Sequence, residues 1–307
     1  MPDQPSSPTI KRRSLLLAIA SAPLVNSCGV FPAAQAAQSL QAAGEARFRA
    51  LEASLDGRLG VFALDTGSGM QLAWRADERF PMCSTFKAVL AGAILARSAH
   101  DDGLLARRIR YAASDLVSYS PVTEKHAGAG MPVAELCAAA VQYSDNTAAN
   151  LLLAIVGGPA GLTEHARAAG DDSFRLDRWE TELNSAIPGD ARDTTTPEAM
   201  TRHMSRIALG AQLPAPQRQT LQGWLRGNTT GDTRIRAGVP AGWVVGDKTG
   251  TGSYGTANDT AILWPPQREP IVLTIFTTRR AKDAEARNDI LASAARVVVE
   301  ALGASGK

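Results

Sequence analysis

In "RFPMCSTFKAVLAGAIL" a serine and a lysine, Ser84 and Lys87, stand three residues apart where an extended-looking segment becomes an apolar helix. A hydroxyl at the cap or first turn of a helix meets free backbone N–H groups and the positive end of the dipole, both of which favour a developing anion. The i, i+3 spacing puts the two side chains on one helix face, within hydrogen-bond reach. A serine hydroxyl attacks poorly until a base takes its proton, and a lysine held among other cations or away from water can have its pKa lowered enough to be that base. Such a pair could serve nucleophilic catalysis. Alone it reads equally well as a cap and a solvated lysine, because about one Ser-x-x-Lys is expected by chance in a chain of this length.

Three more stretches carry polar groups of the same kind. "YSDNTAANLLLAIV" sets Ser144, Asp145 and Asn146 before an apolar helical run, residue types that also serve as a cap and turn. "GDKTGTGSYG" sets Lys248, Thr249 and Gly250 after the strand-like "GWVV". A glycine there lets a ligand lie against the strand's backbone, or marks a strand ending in a turn. "RLDRWETELNSAIPGDARDTTTP" sets Glu180 four residues before Asn184.

In the order Ser-x-x-Lys, Ser-Asp-Asn, Lys-Thr-Gly, these residues form the set shared by class A β-lactamases and penicillin-binding proteins. The chain resembles a class A serine β-lactamase of the broad-spectrum Pen-type group. The resemblance runs over the whole mature chain, and the motifs keep the family's mutual spacing from Ser84 to Lys248. Glu180 and Asn184 match the Glu-x-x-x-Asn pattern of the class A omega loop, and Arg178 and Asp193 match the ion pair that closes that loop.

The resemblance implies the roles. Ser84 attacks a β-lactam carbonyl to give an acyl-enzyme, and the backbone N–H groups of Ser84 and Thr251 hold the oxyanion. Ser144 passes a proton to the departing nitrogen beside Lys248. Lys248, Thr249 and Arg234 hold the substrate carboxylate, with Arg236 the competitor to Arg234, and Gly250 and Thr251 belong to the strand along which the substrate lies. Asn146 meets the side-chain amide, and Tyr119 in "DLVSYS" is the aromatic at the entrance. Glu180 and Asn184 direct the water that releases the product, and either Lys87 or Glu180 is the base for acylation. Cys83 precedes the nucleophile, as in some carbapenem-hydrolysing relatives that bridge it to a second cysteine. The partner position here is Gly252, so that bridge cannot form.

Elements must be found to position these groups. "RLGVFALDTGSGMQLAWRADE" alternates as a hairpin after a helix over roughly 37–55, and "GWVVGDKTG", "GTANDTAILWP" and "IVLTIFTTRR" read as three more strands. "AKDAEARNDILASAARVVVEALG" reads as a closing helix. Between the ends the pattern is helical. Phe86, Val89, Leu90, Ala93 and Ile94 form a stripe, Pro132 suits the first turn of "PVAELCAAAVQY", Thr196-Pro197 is a cap with a first-turn proline, and "PAPQRQTLQGWLRG" stops at glycine. The expected fold is α+β: an antiparallel sheet flanked by helices and built from both chain ends, with an inserted all-helical lobe. This gives an α/β lobe over about 37–75 and 228–307, and a helical lobe over about 76–227.

Composition sets the limits. A net charge of +2 over 307 residues, evenly mixed, argues against a nucleic-acid partner. Residues 1–36 read as an export signal, with Lys11, Arg12 and Arg13 before an apolar stretch and Ala34-Gln35-Ala36 at its end. Arg12-Arg13 raises the twin-arginine route and "VNSC" at Cys28 a lesser lipid-anchor reading, so the periplasm is expected. Cys83 and Cys137 remain in the mature chain, as one disulfide or two small buried hydrophobes. The four histidines lack ligand spacing, no Gly-x-Ser-x-Gly elbow occurs, and neither metal nor other cofactor is expected. The alternatives to a monomeric β-lactamase are a penicillin sensor or D,D-peptidase that stays acylated, and a structural protein with chance motifs.

Overall fold

A computed structural model describes residues 31–303, with side chains from residue 38 onward. The expected signal features Lys11, Arg12, Arg13 and Cys28 lie outside the described residues. In chain order the elements are α1 (Phe31–Leu55), β1 (Gly57–Asp65), β2 (Gln71–Trp74), β3 (Phe80–Pro81), α2 (Phe86–Ser98), β4 (Arg108–Ile109), β5 (Met131–Pro132), α3 (Val133–Gln142), α4 (Asn146–Val156) and α5 (Gly158–Ala168). Then follow β6 (Thr194–Thr195), α6 (Pro197–Ala208), α7 (Ala215–Arg226), α8 (Ile235–Gly238), β7 (Val244–Gly252), β8 (Thr256–Trp264), β9 (Ile271–Arg279) and α9 (Asn288–Gly303).

Five strands form one antiparallel sheet in the order β2-β1-β9-β8-β7. Strand β1 from the start of the chain pairs along its whole length with β9 near the end, from Gly57 opposite Arg279 to Asp65 opposite Ile271. The chain ends are thereby joined in one α+β sandwich, as the strand pattern implies. Both faces of β8 and β9 are buried, which explains their near-continuous apolar and threonine runs. One face, with Leu59, Val61, Ala261, Leu273 and Ile275, packs with Phe48 of α1 and Leu291, Ala295 and Val298 of α9. The other face gives Ile262, Val272 and Phe276 to a second core that runs through α2, α3, α4, α6 and α7. Among the described residues no helix is long and apolar enough to cross a membrane.

Three local expectations shift. Pro132 is the cap residue of α3 and pairs with Arg108 in a two-residue ladder, so it precedes the first turn. The closing helix starts at Asn288, seven residues after Ala281. The intervening backbone is engaged elsewhere: Lys282 O accepts from Tyr254 N at 2.9 Å, and Glu285 O from Arg279 Nη1 at 3.2 Å. Helix α1 begins at Phe31, ahead of the expected start. Cys83 and Cys137 are both free and buried, which decides between the two cysteine readings.

Phe276 is wholly buried and its ring meets Phe80 at 6.3 Å between centroids, where the sheet joins the segment leading to Ser84. Phe276→Ala should cost about 3–5 kcal/mol, the usual loss for a buried aromatic. Urea unfolding followed by far-ultraviolet circular dichroism measures it.

Candidate active site

Ser84 lies in a single 3-10 turn, Cys83–Thr85, which runs into α2. Its position is fixed from three sides. Met82 N donates to Asp193 O at 2.9 Å. Asn258 Nδ2 of β8 donates to Pro81 O at 2.6 Å and Met82 O at 3.0 Å. Strand β7 lies so close that a Cβ on Gly250 would stand 2.7 Å from Met82 O and 3.1 Å from Ser84 N. Glycine is needed there so that the strand can approach the backbone of Ser84. Cys83, at φ 45°, adopts the left-handed region that side chains avoid.

The serine hydroxyl donates to Glu180 Oε1 at 3.1 Å. Lys87, expected to face Ser84 directly, is linked to it through that same carboxylate oxygen, 2.9 Å from Nζ. Its ammonium also donates to Asn146 Oδ1 at 2.6 Å and to Ser144 O at 2.8 Å. Burial drives the Lys87 pKa down, against the opposing pull of Glu180.

Ser144 occupies the loop before α4 at φ 58°. That backbone turns its hydroxyl toward the second lysine, and Lys248 Nζ donates to Ser144 Oγ at 3.1 Å and to Thr249 O at 2.6 Å. Lys248 is wholly buried, and its pKa is held well below the ordinary lysine value, first by burial and then by the Lys87 charge. The cap reading of Ser-Asp-Asn is true of its middle member. Asp145 accepts from Ala148 N at 2.8 Å as the cap of α4, and from Val122 N at 3.0 Å, Thr123 N at 2.9 Å and Thr123 Oγ1 at 2.8 Å. It ties the Ser144 loop to the segment bearing Tyr119, which is 59% exposed at the entrance. Asn146 completes the tie through Nδ2 to Ser118 O at 2.8 Å.

Glu180 is carried by a loop with no long regular element. Arg178 Nε meets Asp193 Oδ2 at 2.6 Å across the loop's neck, while Asp193 Oδ1 accepts from Asp177 N at 2.7 Å and Arg178 N at 2.9 Å. Asn184 Nδ2 donates to Glu180 Oε2 at 2.6 Å, and Asn184 Oδ1 is buried without a protein partner among the described residues.

A cleft of about 350 Å³ is lined by Ser84, Tyr119, Ser144, Asn146, Asn184 and Thr251, together with Thr249, Gly250, Arg234 and Thr230. Lys87, Glu180 and Lys248 lie behind this lining and reach it through their hydrogen bonds. Of the two arginines left open by the sequence, Arg234 faces the cleft and Arg236 does not. Arg234 Nη2 donates to Thr251 Oγ1 at 2.7 Å and Nη1 to the carbonyls of Gly250 and Asn258, both at 2.7 Å. Arg236 Nε pairs with Asp247 Oδ1 at 2.6 Å under the sheet.

The sequence reading missed several supporting groups. Asn150 brackets the Glu180 backbone, accepting from its N–H at 3.0 Å and donating to its carbonyl at 2.9 Å. Asn288 Oδ1 holds Arg234 Nε at 2.9 Å, and Thr230 Oγ1 meets Thr249 Oγ1 at 2.5 Å. None of these sits in a motif. Only the helix-face position of Asn150, four residues after Asn146, hinted at a shared side.

Ser84, Glu180, Ser144 and the two buried lysines form one hydrogen-bonded net at the cleft, an arrangement of the class that serine hydrolases use. Residues 44–302 match the family described as the beta-lactamase enzyme family. The carbapenem-hydrolyzing beta-lactamase KPC of Klebsiella oxytoca is 58% identical over 85% of this chain and 89% of its own. Beta-lactamase Toho-1 of Escherichia coli is 51% identical over 94% of this chain and 97% of its own. The crystal structure of a beta-lactamase from Desulfarculus baarsii superimposes with a TM-score of 0.85 at 64% identity, covering 86% of this chain and 98% of that one. This chain belongs to the β-lactamase family, as a class A serine enzyme.

Asp145→Ala should strand the two backbone N–H groups of Val122 and Thr123, the Ala148 N–H and the Thr123 hydroxyl. At about 1–3 kcal/mol for each buried donor left unpaired, the total loss should reach at least about 3 kcal/mol. Urea midpoints of the purified variant, compared with Asp145→Asn, which keeps one acceptor oxygen, measure it.

Proposed function

We propose that this chain hydrolyses the β-lactam amide of penicillins and cephalosporins through an ester on Ser84. The observation that carries the reading is the Glu180 carboxylate, shared at 3.1 Å with the Ser84 hydroxyl, at 2.9 Å with Lys87 and at 2.6 Å with Asn184. Ser84 Oγ attacks the lactam carbonyl as its proton leaves. The group in immediate reach of that proton is Glu180 Oε1, while the Lys87 ammonium is already engaged with Glu180, Asn146 and the Ser144 carbonyl. This favours the carboxylate as acylation base, with Lys87 supplying the compensating charge. The negative charge on the carbonyl oxygen is met by the backbone N–H groups of Ser84 and Thr251, a pair worth about 3 kcal/mol of barrier per donor.

Collapse breaks the C–N bond, and the nitrogen takes the proton of Ser144, whose hydroxyl lies against Lys248. The proton that Glu180 took from Ser84 then passes through Lys87, which touches both Glu180 Oε1 and Ser144 Oγ, so that Ser144 is reprotonated and Glu180 is again a carboxylate. The substrate carboxylate is held by Thr249 and Thr251, backed by Lys248 and Arg234, along the strand kept open by Gly250. Asn146 and Tyr119 meet the side chain bonded to the ring. In the second half, Glu180 takes a proton from water held between Glu180 and Asn184, whose unpartnered Oδ1 is a ready acceptor. The hydroxide attacks the ester carbonyl, the bond from that carbon to Ser84 Oγ breaks, and Oγ takes back the proton held by Glu180. A general base of this kind contributes about 10²–10⁴-fold.

No metal enters this scheme, and the enzyme acts as a monomer. It is exported to the periplasm by the N-terminal segment, by the twin-arginine route if Arg12-Arg13 is read by that machinery. A signal ending near Ala36 predicts a mature N-terminus close to residue 37. Cell fractionation and N-terminal sequencing test it; full-length protein retained in the cytosol would refute export.

Ser84→Ala should abolish turnover of nitrocefin and of covalent labelling by a fluorescent penicillin. Glu180→Ala should be acylated more slowly, having lost its base, and should then keep a stable acyl adduct with penicillin, visible after prolonged incubation as a mass increase equal to the whole antibiotic. Release at the unchanged rate by Glu180→Ala would overturn the role given to the carboxylate. Stoichiometric acylation without turnover in the unaltered enzyme would favour the sensor or D,D-peptidase reading instead. A penicillin, cephalosporin and carbapenem panel then sets the spectrum.

A further inference from the structure

A second cavity, of about 500 Å³, opens on the far side of the loop that carries Glu180 and shares no lining residue with the catalytic cleft. One wall is the returning half of that loop, Ile187, Pro188, Gly189 and Ala191; the other is the edge where β1 meets β9. Four arginines line it: Arg58, Arg79, Arg279 and Arg280. The single carboxylate of the lining, Asp190, is already held by Arg192 at 2.7 Å and lies 3.7 Å from Arg178. The cavity therefore combines an apolar wall with an excess of positive charge.

The arginines are held in place but little neutralised. Arg79 Nη1 donates to Ser173 O at 2.8 Å and Thr194 Oγ1 at 3.1 Å, and Arg279 donates to Leu55 O at 3.0 Å and Glu285 O at 3.2 Å. Among the described residues neither has a carboxylate partner. Arg280 lies 3.6 Å from Asp56, a pair with side chains 82% and 66% exposed, which contributes little neutralisation. Only Arg58 is firmly paired, with Glu78 at 2.6 Å. Neutral carbonyl partners fix the direction of a guanidinium without cancelling its charge, so the remaining donors present a preorganised fork for a planar anion. Ile187 is 45% exposed at the cavity's edge and offers an apolar surface opposite the cations.

We propose that this cavity binds a small amphipathic anion, an aliphatic or aromatic body with one carboxylate, sulfonate or phosphate head. The head sits among Arg79, Arg279 and Arg280, and the body lies against Ile187 and Pro188. The volume falls within the roughly 300–1,000 Å³ usual for small-molecule sites. The ligand differs from the substrate of the catalytic cleft in needing no acylable group.

The test uses the intact mature protein with 1-anilinonaphthalene-8-sulfonate as fluorescent probe, displaced by decanoate or by uncharged decanol. Hydrogen exchange locates the bound decanoate. The expected result is saturable binding at one site, displacement by decanoate at least about tenfold better than by decanol, as fits a lost charge-assisted bond, and added protection in peptides covering residues 187–194. Arg280→Glu and Ile187→Glu, both at exposed positions, should each weaken decanoate at least about fivefold, whereas Arg234→Ala, in the catalytic cleft, should not change it. Absence of saturable binding up to millimolar decanoate overturns the proposal. So does equal displacement by decanol, protection confined to other segments, or loss of binding in Arg234→Ala.

Discussion

Two ammonium groups, those of Lys87 and Lys248, are buried without exposure in one small volume, and the rest of the site is arranged around that fact. Taking one such charge out of water costs several kcal/mol even after relaxation, and two near each other repel. The structure answers with acceptors. Lys87 is surrounded by a carboxylate, an amide oxygen and a carbonyl, and Lys248 by a hydroxyl and a carbonyl. Below the strand, Asp247 lies among Arg236 and Asn228, and burial raises its pKa and lifts that of Asp259 well above the ordinary carboxylate value. The hydroxyls of Ser84 and Ser144 sit where these charges meet.

This arrangement explains why unfavourable backbone is concentrated here. Cys83, Tyr119, Ser144, Ala186 and Asp193 all have positive φ, and all border the cleft or the loop behind it. Such conformations cost about 1–3 kcal/mol each and persist only where neighbours over-determine them. The over-determination is visible: four donors converge on Asp145, Asp193 is bound at both oxygens, and Asn258 clamps the turn before Ser84. The loop bearing Glu180 is thus held by polar ties in place of a helix or strand. Its outer half is also the apolar wall of the arginine-lined cavity, so one segment has two chemically different sides.

Much of the architecture was legible because it is periodic. The β1, β7, β8 and β9 strands, the apolar stripe of α2 and the proline-led start of α6 all follow alternation or helical spacing. Local signals misled where a tertiary contact outweighed them. "AKDAEAR" has helix-forming residues, yet its carbonyls are drawn to Tyr254 and Arg279, which delays α9 to Asn288. Pro132 suits a helix start, but a short ladder with Arg108 takes it one position earlier.

By itself the sequence determined the chemical inventory and its order: a hydroxyl on a helix mouth, a lysine three residues on, a second serine, a loop carboxylate and a second lysine before a glycine. It also determined that both chain ends would supply one sheet, since burial patterns follow from side-chain type and period. Only the tertiary structure decided that Ser84 donates to Glu180 with Lys87 behind it, that Arg234 and not Arg236 faces the cleft, and that Asn150 and Asn288 hold Glu180 and Arg234 in place. The reason is physical. Periodicity records which face of an element avoids water, whereas a hydrogen bond between residues a hundred positions apart depends on sub-ångström placement that no local pattern encodes.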